Sequence, residues 1–341
     1  MKGSKWKIIT ILAGSAALLM FVMVTAGLYR EKKQAEEEQQ AWELSEQKTV
    51  ETGIHNTVEF QGKTYKRNTY VKAILCMGVD RQGDMQEKTV AGSGGQADGI
   101  FLVAQDTARD EVKVLLLPRD TMTPITLTDL SGNVLGQEMQ HLTLAYGYGD
   151  GRDLSCQYMV SAVSQLLGGL SIDGYMAISM GALPILNDVV GGVTVRIEDP
   201  GLSEREPSFE LGKEITLKGK QAETYLRYRD IKQAQSALDR TERQKEYMKG
   251  FAAAFRKKAS AEEGLAVKIL EEIQPYLVTN LSKDQYLNMT MAFLNSSQNI
   301  DDNDLLTLPG EGVETGMYDE FHPDSLETQK MVLDLFYRLE E

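Results

Sequence analysis

Apolar runs punctuated by Gly, Pro and Asp dominate the chain from residue 71 onward. Three of them, Val71–Val79, Gly99–Ala104 and Val112–Leu117, are nearly continuous, as expected for strands that are covered on both faces. Farther on, Leu154–Leu167 repeats apolar residues at helical spacing. Strands that alternate with helices predict an α/β protein, organised as a three-layer α/β/α sandwich over residues 68–341.

The rest of this domain is predicted to be richer in helix. Ala182–Val190 and Gly219–Leu226 have the pattern of short helices, and Val193–Ile197 has that of a strand. Residues 259–341 are predicted as a mainly helical C-terminal extension with one strand around Leu305–Leu308. The later helical segments are 238–258, 262–275, 282–295 and 325–339.

A charge-free run of 21 residues, Ile8–Leu28, lies near the start of the chain. As a helix it would be roughly 30 Å long, which matches the hydrocarbon core of a bilayer. Basic residues precede it and an aromatic residue flanks each end. We therefore expect a single-pass protein of the cell membrane, with residues 1–7 cytoplasmic and the C-terminal domain extracellular. A signal peptide cleaved near Val24–Ala26 is the alternative.

Residues 29–67 are predicted as a solvated juxtamembrane stalk. Within them, residues 31–48 contain six Glu against three Lys and favour helix without an apolar face. Such a composition is typical of a segment that stays in solvent.

The composition excludes several classes of function. With 50 Asp and Glu against 36 Lys and Arg, the formal net charge is −14. A body this acidic repels a phosphate backbone, so we expect no nucleic acid as partner. Two cysteines, Cys76 and Cys156, cannot build a disulfide framework or a four-cysteine zinc site. Whether they pair with each other stays open.

Charged residues stand at the ends of the predicted strands. Asp80 ends the first strand and Asp98 begins the next, so the two carboxylates could share a hard divalent cation. The simpler alternative is that each only caps a turn. Arg119 follows the third strand, and the adjacent Asp120 can orient its guanidinium toward an anion.

The segment Arg227–Lys249 is basic in an otherwise acidic chain, with seven Lys and Arg against four Asp and Glu. A solvated helix with surface ion pairs is one explanation. Together with Arg119 and the two carboxylates, however, the segment predicts a phosphate- or pyrophosphate-binding cleft. Its polar side chains suited to that role are Arg227, Arg229, Arg240, Arg243 and Gln244.

Eight short segments, taken in their order, resemble the LytR–CpsA–Psr family of bacterial envelope proteins. They are Leu75–Asp80, Gly95–Asp98, Leu116–Asp120, Ala145–Gly149, Ile172–Tyr175, Val189–Val193, Tyr225–Asp230 and Asp239–Gln244. The resemblance covers about residues 70–250. It implies a membrane-anchored phosphotransferase that moves a glycopolymer from an undecaprenyl-pyrophosphate carrier to peptidoglycan, with Mg²⁺ or Mn²⁺.

The same resemblance assigns roles to residues of this chain. Asp80 and Asp98 would bind the metal. The catalytic residues would be Arg119, Asp120 and Arg240. The pyrophosphate would be bound by Gln96, Arg119, Arg227, Arg229, Arg240, Arg243 and Gln244.

Two positions depart from the family pattern. Members usually carry Arg where this chain has Gln96, and many carry Asp where it has Ala237. Losing a guanidinium at the pyrophosphate could cost about 1.5–3 kcal/mol of a charge-assisted hydrogen bond. A second hypothesis is therefore a non-catalytic scaffold or regulator of envelope assembly that binds polyprenyl phosphates.

Overall fold

The computed structural model describes residues 57–85, 87–230, 236–282, 284–285, 303–315 and 318–340. The predicted membrane segment 8–28, the charged segment 31–48 and most of the predicted helix 282–295 lie outside these ranges, as does the side chain of Ala237. Within the described ranges, no helix combines the length and the hydropathy needed to cross a bilayer.

Fifteen strands and seven α-helices make up the described chain. The strands are β1 Thr57–Phe60, β2 Lys63–Arg67, β3 Val71–Val79, β4 Ala97–Asp106, β5 Glu111–Leu116, β6 Met122–Thr128, β7 Val134–His141, β8 Gly174–Ser179, β9 Thr194–Arg196, β10 Glu214–Thr216, β11 Leu277–Thr279, β12 Leu305–Thr307, β13 Gly310–Glu314, β14 Asp319–Pro323 and β15 Tyr337–Leu339. The helices are α1 Asp153–Leu166, α2 Leu183–Val189, α3 Pro200–Arg205, α4 Lys220–Arg227, α5 Ser236–Ala259, α6 Leu265–Ile273 and α7 Ser325–Phe336.

A six-stranded mixed sheet in the order β11-β8-β3-β4-β5-β12 forms the centre of the molecule. Strand β3 pairs antiparallel with β4 and parallel with β8, and β5 pairs antiparallel with β4 and parallel with β12. The carboxyl ends of β3 and β5 therefore lie at the same edge of the sheet as the start of β4.

Side chains alternate between the two faces of this sheet, and both faces are buried. Ile74 and Phe101 belong to a first core with α2, α4, α5 and α6, whereas Leu75 and Leu102 belong to a second core with α1 and α7. Burial on both faces explains why β3 is an almost unbroken apolar run. The predicted three-layer α/β/α arrangement is confirmed for the described part of the chain.

The two cysteines are both free and both buried. Cys76 lies in the first core and Cys156 in the second, so the central sheet separates the two thiols. Burial raises the pKa of each thiol well above its usual value. The open question of pairing is thereby answered, because the two thiols do not form a disulfide.

The predicted stalk is wrong for its last eleven residues, 57–67. Strands β1 and β2 form a hairpin that pairs with β15, where Tyr337 lies opposite Arg67. Gln61 and Gly62 have φ of 51° and 75°, as a two-residue type I′ turn requires. The folded domain begins earlier than predicted because apolar hairpin residues, such as Phe60, pack on the second core.

The C-terminal region is also less helical than predicted. The predicted strand near residue 305 is confirmed as β12, but β11, β13, β14 and β15 were expected to be helix or loop. Strands β11 and β12 form the two edges of the central sheet. This region therefore completes the domain, and it is not an extension of it.

Candidate functional site

Three predicted site residues, Asp80, Asp98 and Arg119, lie at the sheet edge where β3 and β5 end and β4 begins. Asp80 directly follows β3, and Arg119 follows β5 by three residues. In the β3–β4 register, Gly78 lies opposite Gly99 and Val79 opposite Ala97, which leaves Asp98 as the extra residue of a bulge. Bulges redirect a side chain out of the regular alternation, and here the redirected group is a carboxylate.

A glycine-rich loop fixes the approach to β4. Thr89 N and Gly92 N donate hydrogen bonds to Asp150 O and Gly147 O, both 2.7 Å long. Gly94 lies so close to the facing segment that a Cβ on it would be 2.9 Å from the Cα of Gly151. The loop can therefore bring Gln96 to the site only if residue 94 has no side chain.

Arg119 is the centre of the charged network. Its Nη1 donates to Asp98 Oδ1, and its Nη2 donates to Gln96 Oε1 over 2.7 Å. Its Nε forms an ion pair with Asp120 Oδ1 at 3.3 Å. Three neighbours thus hold one guanidinium, which limits its motion.

Arg240 lies behind Arg119 and approaches the same carboxylate. Its Nη1 is 3.5 Å from Asp98 Oδ2, and the residue is only 6% exposed. Burial lowers the pKa of Arg240 to about 10, and the attraction of Asp98 opposes that shift. Arg240 therefore carries its full charge at neutral pH, and it does so at a cost in desolvation.

An open cavity of 640 Å³ lies in front of these groups. Its walls are formed by Gln96, Arg119, Asp120, Gln140, His141, Thr143, Leu144, Arg229, Glu314, Thr315, Tyr318 and Asp319. Arg229 is held there by Asp319, whose Oδ2 accepts from Arg229 Nη2 over 2.8 Å. Arg119 on this wall and Arg240, which is not part of the wall, both contact Asp98.

The hairpin β13–β14 supplies one wall of this cavity, and sequence analysis missed it. Phe321 N donates to Asp120 O over 2.9 Å, and Phe321 also forms a bridge with Thr121. These contacts dock the hairpin on the loop that carries Arg119. No local sequence motif predicts that this hairpin forms a cavity wall. The position of the hairpin depends on its contact with a segment about 200 residues earlier in the sequence.

Asp80 and Arg227 form a second ion pair beside the cavity. Arg227 Nη2 is 2.5 Å from Asp80 Oδ1, and its Nη1 donates to Glu223 Oε1 over 2.9 Å. Asp80 N donates to Gln96 O over 2.8 Å, so the pair is joined to the cavity wall through the backbone. Neither Asp80 nor Arg227 lines the cavity itself.

Two more of the predicted pyrophosphate ligands, besides Arg227 and Arg240, are not on the cavity wall. Arg243 donates to Asp199 Oδ2 over 3.0 Å and to Tyr228 O, and its guanidinium also lies over the ring of Tyr228. Gln244 is buried, being 6% exposed. In this structure, Arg243 fastens α5 to the segment after α4, and the predicted role in substrate binding lacks geometric support.

The predicted metal ligands, Asp80 and Asp98, each bind a guanidinium group in this structure. In the described residues no group of three or more His, Cys, Asp and Glu forms a metal-binding cluster. Mg²⁺ and Mn²⁺ often use only one or two carboxylates and take their other ligands from phosphate and water. The donor set fits such a cation, and metal binding stays a prediction.

Comparison with known proteins identifies the group to which the chain is related. The model described as LytR_cpsA_psr family matches residues 25–335. The chain belongs to the LytR–CpsA–Psr family. This result confirms the resemblance stated from the eight segments, and it extends the match beyond residue 250.

Individual relatives and solved structures are moderately similar to this chain. The polyisoprenyl-teichoic acid–peptidoglycan teichoic acid transferase TagU of Bacillus cereus is 29% identical over 242 residues, covering 70% of this chain and 69% of TagU. The structure of gbs0355 from Streptococcus agalactiae has a TM-score of 0.61 at 23% identity over 80% of this chain and 90% of that one. TagT, a B. subtilis protein, was solved bound to LI-WTA, and that structure has a TM-score of 0.56 at 20% identity over 78% and 90%.

In this LytR–CpsA–Psr chain, we expect Gly94→Ala to lower the free energy of unfolding by about 1–3 kcal/mol, because the new methyl group would meet the backbone of Gly151. Urea unfolding of the full chain measures the change. Gly83→Ala is the matched control, since a Cβ there meets nothing within 4 Å. Equal stability of the two variants would contradict the close approach.

Proposed function

We propose that this chain is a membrane-anchored phosphotransferase that moves a glycopolymer from an undecaprenyl-pyrophosphate carrier to peptidoglycan. The observation that carries the proposal is that Arg119 and Arg229 line one cavity, while the buried Arg240 contacts the same carboxylate, Asp98, that Arg119 binds. Family membership supports it, as do the name of TagU as a teichoic acid transferase and the structure of TagT bound to LI-WTA.

Guanidinium groups suit the chemistry of this transfer. The acceptor hydroxyl attacks the phosphorus that carries the glycopolymer, a new O–P bond forms, and the bond to the bridging oxygen breaks. Undecaprenyl phosphate leaves with that oxygen and its electron pair. Such transfers depend mainly on alignment and on neutralising the charge of the phosphate oxygens. Arg119 and Arg229 on the cavity wall supply planar donors for this purpose, and Arg240 adds charge from behind.

Asp120 is placed to accept the proton of the attacking hydroxyl. It lines the cavity at only 8% exposure, and its Oδ2 is buried with no hydrogen-bond partner in the described part of the chain. A buried acceptor without a donor is costly, so a rotation of the carboxylate that exposes Oδ2 to a ligand hydroxyl gains a hydrogen bond. We assign the proton to Asp120 during transfer.

We assign Mg²⁺ or Mn²⁺ to Asp80 and Asp98. When bound, the cation neutralises phosphate charge as a Lewis acid. Both carboxylates also bind arginine side chains, Asp80 with Arg227 and Asp98 with Arg119 and Arg240. Binding of the cation is therefore expected to depend on the charge of those guanidinium groups.

The membrane anchor is part of the proposal. Residues 8–28 would span the bilayer and hold the cavity on its outer surface, where the lipid carrier and peptidoglycan meet. We expect that detergent is required to extract the full chain from the membrane fraction. Release by salt alone would contradict the anchor.

The function is tested with the full chain in detergent, a lipid-linked glycopolymer and peptidoglycan. We expect release of undecaprenyl phosphate that requires Mg²⁺ or Mn²⁺, and we expect Asp80→Asn and Asp98→Asn to raise the metal concentration for half-maximal rate at least about tenfold. Asp110→Asn, at the opposite end of the sheet, is the control.

Failure in this assay has two distinct forms. Lipid binding without turnover in any divalent metal would favour the non-catalytic scaffold. If Gln96→Arg then restored turnover, the loss would be due to that single position, whose amide oxygen now accepts from Arg119.

A further inference from the structure

Tyr318 is a large aromatic side chain on the wall of the 640 Å³ cavity, yet it is 64% exposed. It belongs to neither hydrophobic core. An exposed ring at a concave site is more informative than one on a convex surface, because it can contribute area to a bound ligand.

The ring is held by a compact local structure. Thr315 N and Thr315 Oγ1 both donate to Tyr318 O, over 3.0 and 2.5 Å, and Tyr318 N donates back to Thr315 Oγ1 over 3.0 Å. The ring of His141 stands nearly perpendicular to that of Tyr318, with the centroids 6.0 Å apart. The backbone that carries the ring is thus ordered without a ligand, which reduces the entropy lost on binding.

The cavity wall around Tyr318 differs chemically from the arginine side. It includes the amide of Gln140 and the carboxylate of Glu314, whereas the hydroxyl of Thr143 is buried and donates to Ala97 O. Arg229 also borders it, and the ion pair of Arg229 with Asp319 places a second carboxylate on this wall. Carboxylate and amide oxygens disfavour a phosphate, but they accept hydrogen bonds from neutral hydroxyl groups.

We propose that this wall is a subsite for a pyranose ring, stacked on Tyr318 with its hydroxyl groups directed to Gln140 and Glu314. A pyranose combines an apolar face with a polar edge, which is the combination that this wall offers. The inference rests on the proposed function, in which a sugar lies beside the pyrophosphate. That sugar belongs either to the donor glycopolymer or to the acceptor glycan.

Direct binding to the full chain in detergent tests the subsite. Three probes are titrated by calorimetry: a phosphate-free N-acetylated tetrasaccharide, a short polyprenyl diphosphate that carries one N-acetylhexosamine, and the same diphosphate without sugar. We expect Tyr318→Ala to raise the Kd of at least one sugar probe about tenfold, as loss of about 1.4 kcal/mol implies. We expect Tyr318→Phe to retain binding.

The sugar probe that responds identifies the source, since the tetrasaccharide represents the acceptor and the sugar-bearing diphosphate represents the donor. The Kd of the sugar-free diphosphate should stay within about twofold, and Tyr70→Ala, an exposed tyrosine at the opposite end of the sheet, should change none of the three. Unchanged sugar binding in Tyr318→Ala, or equal loss for the sugar-free probe, would overturn the proposal.

This experiment does not depend on turnover. If the chain binds sugar through Tyr318 but releases no undecaprenyl phosphate, the subsite stands and the transferase function fails. If the chain transfers glycopolymer but Tyr318→Ala binds every probe normally, the function stands and the subsite fails.

Discussion

Arg119→Ala is expected to lower the release of undecaprenyl phosphate by about 10²–10⁴-fold. The removal of one preorganised donor to a developing charge typically costs about 10²–10³ in rate, and an arginine that stabilises phosphoryl transfer is worth about 10³–10⁵. Arg119 also connects Gln96, Asp98 and Asp120, so its loss frees three further groups of the site. Single-turnover release from the lipid-linked substrate measures the effect on the chemical step.

Two further variants separate charge from geometry at this position. Arg119→Lys keeps the positive charge but loses the planar fork, so we expect an intermediate loss of about 10–10²-fold. Arg109→Ala removes an exposed arginine at the far end of β4–β5, paired only loosely with Asp106, and should leave the rate unchanged. Wild-type turnover in Arg119→Ala would remove Arg119 from the mechanism.

The central strands were predictable because their environment is uniform. Strand β3 has the predicted bounds, Val71–Val79, and β4 and β5 differ from prediction by only one or two residues at each end. Burial on both faces requires apolar side chains at consecutive positions, so the pattern does not depend on neighbours distant in sequence. Asp98 and Arg119 could be predicted for the same reason, since polar residues stand out where such strands begin and end.

The C-terminal strands could not be predicted, because tertiary contacts create them. Strands β11 and β12 have three residues each, and such short runs are buried only because a longer strand of the sheet pairs with them. The positions of Tyr318 and Asp319 could not be predicted either, because they also depend on tertiary contacts. Their positions on the cavity wall follow from the docking of β13–β14 on the loop at Asp120, and no periodicity in sequence contains that information.

Three predicted pyrophosphate ligands lie close together on helix α5, but their surroundings differ. Arg240, Arg243 and Gln244 fall at positions i, i+3 and i+4. At about 100° per residue, Arg243 lies about 60° to one side of Arg240, and Gln244 lies about 40° to the other. Arg243 is near enough to the neighbouring segment to bind Asp199, and Tyr247 is buried with its hydroxyl donating to Asn187 Oδ1. Only Arg240 therefore approaches Asp98.

Arg240→Met is expected to abolish transfer and yet leave the protein as stable as the wild type, or more stable. Burial lowers the pKa of Arg240 from its usual value to about 10 even though Asp98 opposes the shift, which corresponds to a net cost of about 3 kcal/mol at neutral pH. Asp98 keeps its contact with Arg119, so no carboxylate is left unpaired. Replacement of a buried charge by an apolar side chain of similar volume is often stabilising by about 1–4 kcal/mol.

The contribution of Arg240 to the free energy of unfolding depends on pH, and it becomes more favourable at high pH. Above pH 10 the unfolded chain holds the proton of Arg240 more tightly than the folded chain does, so stability gains a contribution as the pH rises from about 10 toward the usual pKa of arginine. The Met variant lacks that contribution. We expect urea unfolding at neutral pH to give a free energy equal to or up to about 3 kcal/mol above wild type, while release of undecaprenyl phosphate falls at least about 100-fold.

Arg256→Met is the matched control for the effects of Arg240→Met on stability and on transfer. Arg256 lies on the same helix, about 24 Å farther along at 1.5 Å per residue, and burial lowers its pKa to about 9. This variant should retain transfer, because its guanidinium is far from Asp98. If Arg240→Met instead lost several kcal/mol of stability, the guanidinium would be a structural support, and its effect on transfer would follow from damage to the fold. Retained stability with lost transfer would mean that the chain maintains a costly buried charge because the phosphate chemistry requires it.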